Sequence, residues 1–297
     1  TDNLNVQNVG TAPLDYGLQV NYVFDKGNPV LDAPEFNSTI KNPAGNFVVD
    51  PNPRPSSDPA NPTDEVILNY DGPNHTAIGL NNPNQWEVAA KFTNDMTVPY
   101  AGMMLTKVDV YINETDGCSF KLRIYGEGSA IEPGALLHEQ EFYPIMPEWL
   151  SITLTNPIIV TGEELWVGYW IDQTIGSTYP AGADEGPAHP HGDYIKTGAG
   201  WGHLSSNASL DYNWNIRGVL EGTAGPSWLS LTPTAGTLQP SASTNHTVTF
   251  DASLLNQGAY NAVIKAVSND VSNPVVNIPV SVNISGSSQE PTISVNP

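Results

Sequence analysis

Cysteine is nearly absent. Cys118 is the single one in 297 residues, so no intrachain disulfide can form and core burial must hold the fold together. Basic residues are scarce as well: 10 Lys and Arg against 31 Asp and Glu leave a net charge of −21. A field of that sign repels phosphate backbones and anionic lipid, which argues against nucleic acid and membrane partners. No run of about 18 apolar residues occurs, so no helical membrane span is expected. The acidic residues are scattered rather than gathered in a block, and they read as a solubility device. Helical periodicity is hard to find anywhere. The first residue is Thr1 rather than Met, as in a processed or excised chain.

What the chain does have is alternation with period two. Leu18, Val20 and Tyr22 alternate with polar neighbours. So do Trp86, Val88, Ala90 and Phe92, then Val108, Val110 and Ile112, and later Leu165, Val167, Tyr169 and Ile171. The run Val276, Ile278, Val280, Val282, Ile284 closes the series. Gly, Pro, Asn and Asp separate these segments. Strands with one apolar and one polar face mean antiparallel sandwiches. The expected class is all-β, and the length suits roughly two domains.

Residues 24–63 break the pattern. Eight prolines, from Pro29 to Pro62, stand among Asn, Ser and Asp. Proline has no N–H to give a ladder, so this stretch reads as an extended connector with one edge strand near Asn46–Val49. Breaks at Gly222–Pro226 and Gly286–Pro291 set off two further segments.

Two stretches carry a family resemblance. Residues 227–284 contain Ser227-Trp-Leu-Ser-Leu-Thr-Pro-Thr-Ala-Gly-Thr-Leu238, Thr247-Val-Thr-Phe-Asp251, Gly258-Ala-Tyr260, Val267-Ser-Asn-Asp270 and Asn273-Pro274. This run resembles the second half of the Ig-like (hydin-type) modules of bacterial surface proteins. Asn5-Val-Gln-Asn-Val-Gly-Thr-Ala-Pro-Leu14 is similar to the first half of the same module. The economical reading is one Ig-like sandwich, residues 1–23 plus 225–285, split by an insertion at 64–222. Loop-closure cost grows only with the logarithm of loop length, so such an insertion is tolerable. The rival assigns the N-terminal stretch to a separate upstream module. Residues 286–297 read as a linker and the first strand of a following module.

The inserted region resembles jelly-roll-type accessory sandwiches of proteins exported by the type IX route, peptidase-associated ones included. Asn69-Tyr-Asp-Gly72, Trp86-Glu-Val-Ala-Ala-Lys-Phe92, Leu165-Trp-Val-Gly-Tyr169 and Leu210-Asp-Tyr-Asn-Trp-Asn-Ile-Arg-Gly218 carry that likeness. It implies a secreted or cell-surface module with no chemistry of its own and no required cofactor. The function implied is adhesion, to a glycan or a surface protein, with neighbouring Ig-like modules as further partners. A spacer in a tandem-repeat fibre and an accessory domain of a secreted peptidase are the alternatives.

Candidate sites follow. There is no Gly-x-Ser-x-Gly, and Cys118 has no nearby His in sequence. Asp184-Glu185 and Glu163-Glu164 are adjacent pairs, whose members face opposite sides of an extended chain and cannot flank one bond. His189-Pro-His191-Gly-Asp193 is the one dense cluster of nitrogen and oxygen ligands, though its Pro and Gly also read as a polar loop. Jelly-roll sandwiches often staple the region of the first strand to the last through calcium. Asp71, Asp211 and Asn213 supply oxygens at those places, and Asx turns would use the same residue types. Trp201, flanked by glycines, reads as an exposed loop-tip ring. With Tyr194, His189, His191 and Asp193 it forms the expected ligand-binding set, while Trp166, Trp170 and Trp214 read as core.

Overall fold

The computed structural model describes residues 1–24, 28–36, 47–57, 65–145, 147–198, 200–207, 209–222, 224–225, 228–252, 255 and 258–284. The tail at 286–297 lies outside these residues. The chain forms two compact units, one made of Thr1–Asp25 with Gly225–Pro297, the other of Lys26–Ala224.

In chain order the strands begin with β1 (Asp2–Gln7), β2 (Leu14–Val23), β3 (Phe47–Val49), β4 (Val66–Leu68), β5 (Thr76–Leu80) and β6 (Asn84–Phe92). A single helical turn, α1 (Asn94–Thr97), comes before β7 (Met104–Ile112), β8 (Cys118–Tyr125), β9 (Leu136–Phe142) and β10 (Glu148–Ile159). Next are β11 (Leu165–Gln173), β12 (Thr178–Ala183), β13 (Tyr194–Thr197), β14 (Trp201–His203) and β15 (Ile216–Glu221). The last are β16 (Leu229–Thr232), β17 (Ala235–Leu238), β18 (Ser243–Phe250), β19 (Gly258–Ser268) and β20 (Val275–Ile284). The protein is all-β, and every ladder between described strands is antiparallel.

The larger unit is a two-sheet sandwich. One sheet has the order β3-β5-β12-β7-β15-β4, with β10 also on β7; the other has the order β14-β13-β6-β11-β8-β9. Strand β6 shows why these residues suit this place. Trp86, Val88, Ala90 and Phe92 point into the core shared with Val110, Ile124 and Tyr169, and all seven are essentially inaccessible. Each large apolar side chain so buried contributes about 1.5–3 kcal/mol. Strands β6 and β11 approach so closely that a Cβ on Gly168 would stand 2.0 Å from the Val88 carbonyl oxygen. Only glycine fits there.

The stretch read as a connector is not free of this unit. Strand β3 is an edge strand of the first sheet. Residues 28–36 run over the outer face of the second: Leu31 N–H bonds the Leu136 carbonyl at 2.8 Å, and Arg123 Nη2 bonds the Glu35 carbonyl at 3.2 Å. Lys196 stands over the Phe36 ring at 4.7 Å. Proline keeps this strap out of the sheet but does not keep it from packing.

The smaller unit pairs a three-stranded sheet, β1-β18-β16, with a four-stranded one, β17-β2-β19-β20. Strand β1 runs the length of β18, from Asp2 opposite Val248 to Gln7 opposite Ser243. Strand β2 lies between β17 and β19. Between the sheets Tyr16 Oη meets His246 Nε2 at 2.8 Å, and Tyr22 donates to the Leu229 carbonyl at 3.2 Å. Trp228, Leu229, Val248 and Ile264 are buried around them.

Candidate functional site

The predicted ligand loops lie in the larger unit, around β13 and β14. A Gly-containing turn closes this hairpin, with Gly198 at φ +80, and Tyr194 pairs with His203 across it. Asp193, just before β13, is fully buried. Its Oδ2 accepts from the Ser205 N–H at 3.0 Å and from the Ser205 hydroxyl at 2.6 Å, while Oδ1 lies 2.6 Å from His203 Nδ1. A buried carboxylate thus orients an imidazole that is itself 29% exposed.

His189 and His191 precede this carboxylate in the same loop. The His189 ring stacks on Tyr70 at 4.1 Å and 13°, and the two imidazole centroids are 5.5 Å apart. The Tyr70 hydroxyl donates to the Lys91 carbonyl at 2.8 Å. Burial, with Lys91 and His189 nearby, holds His191 below the usual histidine value. The dense ligand cluster His189-Pro-His191-Gly-Asp193 does not come together as a three-ligand set. Both oxygens of Asp193 are already engaged by Ser205 and His203. Among the described residues no three His, Cys, Asp or Glu side chains converge for a metal.

Trp201 requires the largest correction. It is 8% exposed, and it packs edge-on against Trp166 at 5.9 Å and Tyr125 at 6.4 Å. Its glycine neighbours suggested a loop tip, but β14 pairs with β13 and turns the indole onto the outer face of the second sheet. Tyr194 completes this cluster: its ring lies 4.3 Å from Trp166, and its hydroxyl donates to the Ala130 carbonyl at 2.8 Å. Burial, with Asp193 next, pushes that hydroxyl up to about 12. The aromatic platform expected for a sugar is therefore internal structure. Trp166, Trp170 and Trp214 are buried too.

The calcium set is not assembled either. Asp71 accepts from Arg217, from Asn215 Nδ2 at 2.8 Å and from Asn69 Nδ2 at 3.1 Å, so a guanidinium stands where the cation was expected. Asp211 Oδ1 accepts from the Ala188 N–H at 2.8 Å. Asn213 donates to Asp184 Oδ2 at 2.9 Å and accepts from the His189 N–H at 2.5 Å. Asp184 in turn is surrounded by donors, the N–H groups of Gly72, Gly186 and Asn213. Donors around a carboxylate take the oxygen positions a cation needs. Gly186 is required in this knot: φ is +78, and a Cβ there would lie 1.9 Å from the Asp211 carbonyl oxygen. A cleft of about 560 Å³ opens beside it, lined by Ser56, Asn74, His75, Asp184 and Glu185 among others.

Sequence reasoning missed the buried charges. Glu87 and Arg123 pair at 2.9 Å, Arg123 Nε reaches Glu139 at 2.8 Å, and the Tyr125 hydroxyl donates to Glu87 at 2.6 Å. Burial pushes the Glu87 carboxyl up, against the pull of Arg123 and Tyr125. Lys91 meets Glu164 at 2.8 Å. One signal was available. Glu87, Ala89 and Lys91 fill the outward positions of β6, and in a chain so poor in bases a Lys within a strand needs an acidic partner.

Chemically, the Asp193–His203 pair could hold or move a proton at Nε2. No hydroxyl or thiol among the described residues is hydrogen-bonded to that nitrogen, and Ser205 donates to the carboxylate rather than the imidazole. Cys118 is 3.8 Å from Thr178 Oγ1, and burial pushes its thiol up to about 11, away from nucleophilic reactivity.

No family model matches the chain, and no curated protein matches it. One solved structure is similar, that of the cysteine protease and lectin-like domains of a surface-layer-associated protein of Clostridium difficile. The identity is 13%, over 55% of this chain and 37% of that one, with a TM-score of 0.42. The chain thus spans just over a third of that structure's length.

Proposed function

We propose that this chain is a non-catalytic adhesion and assembly module of a larger exported surface protein. The observation that carries this reading is the internal use of its chemically able side chains. Asp71 is spent on Arg217, Glu87 and Glu139 on Arg123, Glu164 on Lys91, and Asp193 on Ser205 and His203. Catalysis needs such groups aimed at a substrate, whereas here they brace loops and strands. The resemblance to accessory modules of type IX-exported proteins supports an extracellular place, and a charge of −21 suits a solvated surface domain. The test is a panel of peptide, ester and glycoside substrates with the purified chain. No turnover is expected; turnover that His203→Ala abolishes would overturn the reading.

A second reading is favoured by one feature, the Tyr70–His189 stack beside the half-exposed His191 and His203. This rim is a site for a neutral sugar or a partner's side chain, held by imidazole donors and an aromatic face. An anion is disfavoured by the protein's own field. A glycan array on the wild type and on His189→Ala decides it: a signal that the substitution removes supports the rim, and a blank array removes the sugar reading.

A further inference from the structure

Two loops meet at one end of the smaller unit. Residues 8–13 join β1 to β2, and residues 269–274 join β19 to β20. They are tied together where β2 begins. Asn269 N–H donates to the Asp15 carbonyl at 3.1 Å, Asp15 N–H to Asn269 Oδ1 at 3.1 Å, and Asn269 Nδ2 to the Pro13 carbonyl at 3.3 Å. Buried Asn8 braces the first loop from within. Its Nδ2 donates to the Ala12 and Leu238 carbonyls at 2.8 and 2.9 Å, and its Oδ1 accepts from the Gly10 N–H at 2.9 Å. Asp270 braces the second loop, where Oδ1 accepts from the Ser272 N–H at 2.9 Å. The two loops enclose a pocket of about 360 Å³, lined by Val9, Pro13, Asn269, Asp270 and Val271 among others.

This braced frame turns apolar side chains to water. Val9 is 87% exposed and Val271 94%, the two most exposed large apolar residues of the smaller unit among those described. One stands on each loop, and both line the pocket. A single exposed valine is ordinary, but two on the walls of one pocket form a patch that needs no rearrangement to bind. Asp270 is the one ionisable residue among those lining the pocket. The donors on its carboxylate are neutral, the Ser272 N–H and Asn273 Nδ2, the latter at 3.5 Å. The Ser272 N–H, with Asn273, holds this carboxyl below the usual aspartate value, so it stays charged. We propose that the pocket docks a segment of a partner protein that seats an apolar side chain against Val9 and Val271 and sets a Lys or Arg against Asp270. Burial of the valines supplies the attraction, and the carboxylate selects the sign of the partner's charge. A net charge of −21 steers a basic partner in and repels a second copy of this chain.

This deepens the adhesion half of the function above and rests on it. Failure here with no turnover in the substrate panel removes this inference alone. The pocket belongs to the smaller unit and the His189 rim to the larger, so a blank glycan array leaves it standing. The experiment selects a random peptide library, displayed on phage, against the immobilised full chain. Enriched sequences are then made as peptides and titrated by fluorescence anisotropy. They are expected to carry a Lys or Arg beside an apolar residue. Val9→Ser with Val271→Ser should weaken them about tenfold while leaving the melting temperature unchanged, because both side chains are already in water. Asp270→Asn keeps the acceptor for Ser272 and should weaken them several-fold, with most of the salt dependence lost. No enrichment over the bare support would overturn the proposal. Peptides that bind the valine variant or Asp270→Asn as tightly as the wild type would do the same. So would sedimentation in which the wild type self-associates and the valine variant does not, since a second copy then fills the pocket.

Discussion

Arg217 closes on Asp71 with Nε 3.1 and 3.0 Å from the two carboxylate oxygens and Nη2 3.0 Å from Oδ2, and neither side chain is more than 3% exposed. The guanidinium also lies over the Trp149 ring at 4.5 Å. This pair ties the turn after β4 to β15 at one end of the larger sandwich.

Removing the arginine leaves a buried carboxylate with Asn donors but no counter-charge. Arg217→Met is therefore expected to destabilise the larger unit by about 3–5 kcal/mol. Arg217→Met with Asp71→Leu should recover much of that loss, because no charge then remains unpaired. Urea midpoints of the three proteins check it, and equal losses in the single and double variants would refute the account.

Trp201→Ala should cost about 3–5 kcal/mol, the usual penalty for emptying a packed aromatic site. Ile145→Ala, at a residue 87% exposed, should stay within about 0.5 kcal/mol of the wild type. Thermal melts compare them. A Trp201→Ala protein as stable as the wild type would mean that the indole is not packed on Trp166 and Tyr125.

Burial holds His138 below the usual histidine value of 6.5, with Gln140 pulling weakly the other way. The unfolded chain therefore takes up the proton first as pH falls. The contribution of this group is complete above 6.5 and is lost as pH drops from there through the folded value. His191 acts with the same sign. Burial raises Asp71 and Glu87, so their contribution runs the other way at lower pH: stability falls as pH rises from their ordinary values, 3.8 and 4.5, to the folded ones. Denaturant melts across the acid range should show a shallower loss below 6.5 for His138→Gln than for the wild type.

Chelation should leave the melting temperature of the larger unit unchanged, because Arg217 fills the cation's place at Asp71 and N–H donors ring Asp184. A ligand bound only to the native state would raise that temperature by mass action. A clear drop in EDTA, restored by added calcium, would return Asp211 and Asn213 to the list of ligands.

The strands were legible because period-two alternation is a local property. Trp86, Val88, Ala90 and Phe92 declare one face of β6 without reference to any other part of the chain. Prolines between 29 and 62 likewise excluded a central strand, and β3 is an edge strand. The same local cues misled at Trp201, where flanking glycines suggested exposure.

Sequence alone thus determined the all-β class, the single unpaired cysteine and the sign of the field, all of which depend on composition or on neighbours one or two residues away. Tertiary structure decided which polar groups are free. Asp71 and Arg217 stand 146 residues apart, and Glu87 and Arg123 stand 36 apart. Nothing in their local sequence says that each carboxylate will be neutralised by a guanidinium rather than by a bound cation. Burial makes that choice, since a charge taken out of water must find its partner in whatever strand the sheet brings beside it.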